Sequence, residues 1–250
     1  MSGAAEGLRP ATASVPPARD YVPIGDYAAI GDGRTVALVA RDGSVDWLCL
    51  PDLDSPSVFA AVIDAERGGR FALAPEVPAE IERRYLPDTN VLENTFTTGQ
   101  GVVRVTDAMA LPSHDLGPTR ELIRRVDCVA GRVPMRWHVM PAFGYATSPT
   151  RLERRGGIPV ALGGRDALAV CSWEAGEAQI DERAIFGRFE MRESESALIA
   201  LCSAHQEPLV FPARDHIEGR LAATIAFWRR WAAQRAYDGQ WRDAVIRSAL

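Results

Sequence analysis

No lysine occurs anywhere in the 250 residues, and all 28 basic side chains are arginine. Uniform use of one cation reflects codon composition rather than 28 separate functional choices, so it carries no mechanistic weight. Positive charge is also in deficit. Against 33 acidic side chains the net charge is −5, which gives no electrostatic reason to expect a nucleic-acid partner. Cysteine is scarce, and Cys49, Cys128, Cys171 and Cys202 stand far apart, with no CxxC pair and no His at ligand spacing. Each lies in an apolar, strand-like context, so buried reduced thiols are expected rather than disulfides or metal ligands, and with them a cytoplasmic location. Long apolar runs are missing too. No stretch approaches the ~20 residues that span a bilayer, and MSGAAEGLRPATASVPPARD lacks the apolar core of a secretory signal. The expectation is a frayed tail over residues 1–20 and no membrane partner. Ile24-Gly25-Asp26 and Ile30-Gly31-Asp32 repeat a tight turn, but the GxGxxG spacing of a phosphate cradle is absent and no helix follows Gly33.

What the chain does contain is an ordinary globular composition, 47% hydrophobic and 24% charged, at a length that buries roughly 70–75% of the unfolded surface. The most determinate stretch is TVALVARDGSVDWLCLP, from Thr35 to Pro51. Val36, Leu38 and Ala40 alternate on one side of Asp42-Gly43, and Val45, Trp47 and Cys49 alternate on the other. This predicts a β-hairpin with a type I′ turn, in which both central residues take positive φ. Ala37, Val39, Leu48 and Leu50 make the opposite face apolar as well, so the hairpin is expected to be covered on both sides.

Downstream, Ser55-Pro56 reads as a helix start, with Val58, Phe59, Val62 and Ile63 on one face until Gly68-Gly69. From Arg70 to Ala204 short alternating segments recur at roughly ten-residue spacing between Gly, Pro, Asn and Asp, the pattern of a large antiparallel β-sandwich. The character changes at Pro212. Ile217, Leu221, Ile225 and Trp228 form one helical stripe, with Trp231 or Ala232 extending it. Tyr237-Asp238-Gly239 breaks that helix, and WRDAVIRSAL begins a second one through Trp241, Val245 and Ala249. The expected layout is a sandwich over 21–212, a linker helix over 213–237, and the opening of a truncated helical domain over 238–250.

Acid and base chemistry needs paired carboxylates, and the densest group is Asp42, Asp46, Asp52 and Asp54, beside Arg41 and Trp47. Carboxylates that accept from hydroxyls next to an indole that stacks on a ring are the usual components of a sugar pocket. Three of the four also have a structural reading: Asp42 in its turn, Asp54 as the cap of the helix at Pro56, and Asp46 facing solvent.

Four segments carry a resemblance: IGDYAAIGDGRTVALVARDGSVDWLCLP (Ile24 to Pro51), DLDSPSVFA (Asp52 to Ala60), RRYLPDTNVLENTF (Arg83 to Phe96) and WRDAVIRSAL (Trp241 to Leu250). Together they resemble the bacterial family 15 glycoside hydrolases, the glucoamylase and trehalase group. The resemblance implies a mainly β supersandwich, a linker helix and the start of a catalytic (α/α)6 barrel. It implies an inverting enzyme acting on an α-glucoside, either trehalose or an α-glucan, with no cofactor. Its partners would be the carbohydrate and the chain's own C-terminal barrel, with a homo-oligomer open. The family's catalytic glutamates belong to the barrel, beyond Leu250, so no catalytic residue is assigned here; Arg41, Asp42, Asp46, Trp47, Asp52 and Asp54 are the candidate substrate contacts. Many members of that family carry Pro-Arg-Phe-Asp-Ser where this chain has Pro51-Asp52-Leu53-Asp54-Ser55, which puts in doubt any sugar or structural contact made through that Arg. The alternative is a stand-alone carbohydrate-binding or scaffolding sandwich without catalysis.

Overall fold

A computed structural model describes residues 21–111 and 120–250. The expected tail over 1–20 lies outside the described residues. Fifteen strands follow one another in chain order: β1 (Tyr27–Gly31), β2 (Val36–Ala40), β3 (Val45–Cys49), β4 (Ser57–Ala60), β5 (Arg70–Pro75), β6 (Ala79–Tyr85), β7 (Leu92–Thr98), β8 (Gly101–Met109), β9 (Arg120–Met140), β10 (Arg151–Arg155), β11 (Ile158–Gly163), β12 (Asp166–Trp173), β13 (Gln179–Ile180), β14 (Ile185–Arg192) and β15 (Ser196–His205). A short turn with left-handed backbone at Gly144, Tyr145 and Ala146, α1 (Phe143–Ala146), interrupts them, and the helices α2 (Arg214–Ala233) and α3 (Arg242–Ala249) follow.

All strand pairings are antiparallel, and they form two layers joined through one strand. β9 is 21 residues long where the sequence suggests two strands divided near Gly131. Gly131 takes φ +71°, so the chain bends there without ending the strand. Its first half pairs with β8 and β15, continuing through β12, β11 and β10, with β7 and β6 beyond β8. Its second half pairs with β5 and β14 in the layer that holds β1, β2, β3, β4 and β13. Alternation then dictates the core. Ala37, Val39, Leu48, Phe71 and Trp137 of one layer meet Leu92, Phe96, Val105, Val126 and Ile199 of the other in one buried cluster. The large antiparallel sandwich read from the strand spacing is therefore present.

On its outer side the β8–β15 layer is covered by α2. Ile217, Leu221 and Trp228 pack on Val91, Ala108, Ile123, Leu198 and Ala200. The helix has no side-chain cap at Ala213, and each fully buried apolar side chain of its stripe contributes about 1.5–3 kcal/mol. Thr224 joins the stripe because its hydroxyl accepts the Leu111 N–H at 3.1 Å, and Ala232 is fully buried at its end. The four cysteines are buried and free.

Two local expectations are corrected. The segment from Ser57 to Ala60 is a strand, not the start of a helix. Its Val-Phe-Ala run is buried on both faces and pairs with β3, and a short apolar run of that kind fits either element until a sheet edge claims it. The hairpin turn is also not type I′, because within the Arg41-Asp42-Gly43 loop only Gly43 has positive φ, +84°. The Gly43 N–H reaches the Ala40 carbonyl at 3.0 Å and the Ala40 N–H reaches the Ser44 carbonyl at 2.7 Å, which makes a three-residue loop closed by a glycine bulge. A second bulge follows, since Leu38 faces Trp47 while Val39 faces Val45, leaving Asp46 as the extra residue.

A Cβ on Gly43 would lie 2.8 Å from the Leu73 carbonyl oxygen and 3.0 Å from the Phe96 ring, in a conformation that a β-branched residue avoids. Gly43→Val is expected to destabilise the protein by about 2–3 kcal/mol in urea unfolding. An unchanged midpoint would show that the turn is not held in this geometry.

Candidate functional site

The six side chains singled out in the sequence fall into three places. Arg41 and Asp42 are exposed at the hairpin tip, where Asp42 Oδ1 accepts the Ser44 N–H at 3.0 Å. Asp46, expected to face solvent, is 2% exposed. The bulge turns it inward, where it accepts from the Tyr27 hydroxyl at 2.8 Å and from the Ser44 hydroxyl. Its neighbour Trp47 is half-buried, with its ring centroid 6.1 Å from that of Tyr145. Asp52 and Asp54 lie in the loop beyond the other end of β3. Asp54 is exposed and caps no helix, because no helix starts at Pro56. Asp52 sits 3.9 Å from Arg34, and its N–H donates to the Ser55 hydroxyl at 3.2 Å. Five strand residues span roughly 16 Å, so the hairpin tip and the Asp52 loop are too far apart to contact one sugar ring.

Several polar contacts converge at the Asp52 end of the hairpin. In the β1–β2 turn Asp32 Oδ1 accepts the N–H groups of Arg34 and Thr35, both at 2.9 Å. The Leu53 N–H reaches the Arg34 carbonyl at 3.0 Å, and buried Arg120 donates to the Pro51 carbonyl at 3.0 Å. From the other side comes the β6–β7 turn. Arg83 donates to the carbonyl of Asp26 at 2.6 Å, the Tyr85 hydroxyl to that of Ala29 at 2.8 Å, and Asn90 Nδ2 to that of Gly31 at 3.2 Å. These bonds tie the β6–β7 turn to β1 and its flanking turns.

Onto the same turn α3 is seated. Arg242 Nη1 donates to Asp88 Oδ1 at 3.0 Å, and Arg247 donates to the Thr89 carbonyl at 3.1 Å and to Asn90 Oδ1 at 2.9 Å. The Arg247 guanidinium also lies 3.8 Å above the Tyr85 ring, an attraction of about 0.5–2 kcal/mol. Ile246 is buried beneath, and a groove of about 300 Å³ runs between helix and turn. Sequence reasoning did not identify this junction. The residues lie more than 150 positions apart, and only their presence in two of the four resembling segments hinted at it.

Two groups with displaced proton affinity, Glu121 and His138, lie away from the hairpin. Glu121 is held above the ordinary carboxylate range by burial, although its contact with Arg220 of α2 pulls the other way. His138, on the outer side of β9, is 9% exposed with neither ring nitrogen hydrogen-bonded. Burial pushes it down to about 4, Asp181 opposing and Arg70 and Arg136 assisting. Among the described residues no set of three or more His, Cys, Asp or Glu is placed to hold a metal ion. What the junction offers chemically is an array of donors and acceptors paired with one another, on which a helix is seated.

Residues 18–184 match the family model described as trehalase-like, N-terminal. A trehalase from Mycolicibacterium smegmatis is 32% identical over 280 aligned residues, covering 99% of this chain and 41% of that protein. A trehalase from Mycobacterium tuberculosis is 32% identical, with 96% and 38% covered. One from Thermoplasma volcanium is 30% identical, with 92% and 37% covered. The chain therefore spans about two fifths of the length of these relatives. It belongs to the trehalase-like N-terminal family.

The sign of the His138 effect follows from its lowered affinity. A histidine that resists protonation when folded adds full stability above its unfolded value near 6.5 and loses it as the pH falls toward 4. Urea unfolding is expected to show a loss of up to about 3 kcal/mol between pH 7 and pH 4 that a His138→Phe variant lacks. Identical pH profiles for the two proteins would show that His138 is not buried neutral.

Proposed function

With that family membership as premise, we propose that the chain is the N-terminal portion of a glycoside hydrolase that cleaves α-glucosidic bonds with inversion. We propose trehalose as its substrate and place the catalytic glutamates beyond residue 250. The observation that carries the reading is the alignment of nearly the whole chain with three proteins named trehalase, of which it covers about two fifths. The geometry supports it from the other side. The polar junction at α3 is built from groups that hold a turn and a helix, not from an acid and a base facing a cleft. Inversion needs one carboxylic acid to protonate the leaving oxygen and a second carboxylate, about 6.5–9.5 Å away, to activate water. We assign neither role within this chain.

On this reading residues 238–250 open the catalytic unit, and the sandwich and α2 brace it. Direct sugar contact by the sandwich belongs to the Asp52–Asp54 loop, which is exposed beside Arg34. Trp47 lies back along β3, and Asp42 and Asp46 serve the hairpin, with Arg41 at its tip. The reaction takes place in the cytoplasm and uses no cofactor.

The test is to give the complete gene product trehalose, maltose and isomaltose in parallel and follow the anomers by proton NMR. We expect trehalose to be hydrolysed fastest. Cleavage of one anomeric bond with inversion releases one β-glucose from the attacked ring and one α-glucose from the leaving ring, in equal amounts. Faster hydrolysis of maltose would move the reading to an α-glucan enzyme. Two α-glucose molecules would contradict inversion, and activity on none of the three would overturn the proposal.

A further inference from the structure

We propose that Asp88, Asn90 and Arg247 are positioning residues: the β6–β7 turn is a latch that sets the orientation of α3 and, through it, of the catalytic unit. The second half of this claim rests on the reading above that the chain beyond residue 238 opens that unit.

α3 has eight residues, too few to hold a helix in water by itself, and Ile246 is its one buried side chain. A single apolar contact allows a helix to roll and slide. The two arginines remove that freedom. Arg242 on Asp88 fixes the first turn. Arg247 fixes the last, with one nitrogen on the Thr89 carbonyl, another on Asn90 and its plane stacked on Tyr85. A guanidinium held by a planar fork and a ring face has a defined orientation, which an ammonium in the same place would lack.

The receiving turn is itself held rigid. Asp88 sits at φ +58°, a left-handed conformation that aspartate tolerates better than most non-glycine residues. The Thr89 hydroxyl donates to the Leu86 carbonyl at 2.8 Å and accepts the Val91 N–H at 3.1 Å, closing the turn on itself. Asn90 and Tyr85 then bind the β1 segment from behind. Asn90 faces both ways, donating to Gly31 through its amide nitrogen and accepting from Arg247 through its oxygen. A shift of the turn therefore moves α3, and α3 cannot move without breaking charge-assisted bonds. Trp241, 64% exposed, and Val245, 40% exposed, lie on the face of α3 turned away from the turn, so the helix is gripped from one side.

Hydrogen exchange and kinetics test the two halves separately. In the 250-residue protein Arg247→Ala is expected to speed amide exchange across α3 by roughly tenfold or more, leaving α2 and the strands unchanged. Asp88→Asn, which retains a residue type tolerant of positive φ, is expected to do the same to a smaller degree. In the complete gene product Arg247→Ala is expected to lower kcat on trehalose by about tenfold with KM within about twofold, and Arg247→Lys not to restore it. Unchanged α3 exchange in both variants would overturn the latch, whatever the enzyme does. Faster exchange with kcat unchanged would overturn the positioning role. A wild-type product inert on all three sugars would overturn the functional reading, while the exchange result would still decide the latch.

Discussion

One buried ion pair ties the two sheets together. Arg124, on the first half of β9, and Asp107, directly opposite on β8, are both fully buried and joined by two bonds of 2.8 and 3.1 Å. Two further donors of Arg124 cross the sandwich, one to the Gly43 carbonyl at 2.6 Å and one to that of Phe71 at 3.2 Å. Asn94 adds a donor to Asp107 at 3.3 Å, and the guanidinium lies 4.7 Å over the Phe71 ring. Burying two charges is expensive, and removing one partner of such a pair typically costs about 3–5 kcal/mol. In return the pair specifies geometry that an apolar core leaves loose. It fixes which loop of one sheet sits over which strand of the other, and so places the β2–β3 hairpin on the core.

From that fixed hairpin the rest of the domain is set out. The tip at Gly43 is pinned by Arg124, so the far end, with the Gly31–Arg34 turn and the Asp52 loop, has a set position beside the β6–β7 turn. α2 is held to the opposite layer by its apolar stripe and by Arg220 on buried Glu121. α3 then closes onto the β6–β7 turn. Polar side chains at these joints are mostly paired with backbone or with one another, the signature of a scaffold. This is why we read the domain as a brace for chemistry carried elsewhere.

Much of the architecture was legible because strands declare their faces. Alternation in ELIRRVDCVA puts Leu122, Arg124, Val126 and Cys128 on one side, and alternation in GVVRVTDAM puts Val103, Val105, Asp107 and Met109 on one side. A charged residue in each set is the trace of the central pair, although the pairing needs the strand register that only the fold supplies. The run after Ser55 was misread because Val58, Phe59, Val62 and Ile63 suit a helix face as well as a strand, and the exposed edge of β3 decided between them. The turn type failed for a smaller reason: Asp-Gly serves either hairpin loop, and the bulge at Asp46 is invisible in composition. The candidate contacts were chosen as neighbours in sequence, yet a β-strand carries neighbours apart. The α3 junction joins residues more than 150 positions apart, beyond the reach of any local pattern.

The central claim is that this domain carries no catalytic pair of its own, and it can be measured directly. The purified 250-residue protein is incubated with trehalose and with maltose, and glucose is followed enzymatically over a day. The account predicts no release above buffer from either sugar, under conditions where the complete gene product hydrolyses trehalose. Glucose release by the 250 residues alone, lost neither on further purification nor by removing contaminating activity, would contradict it.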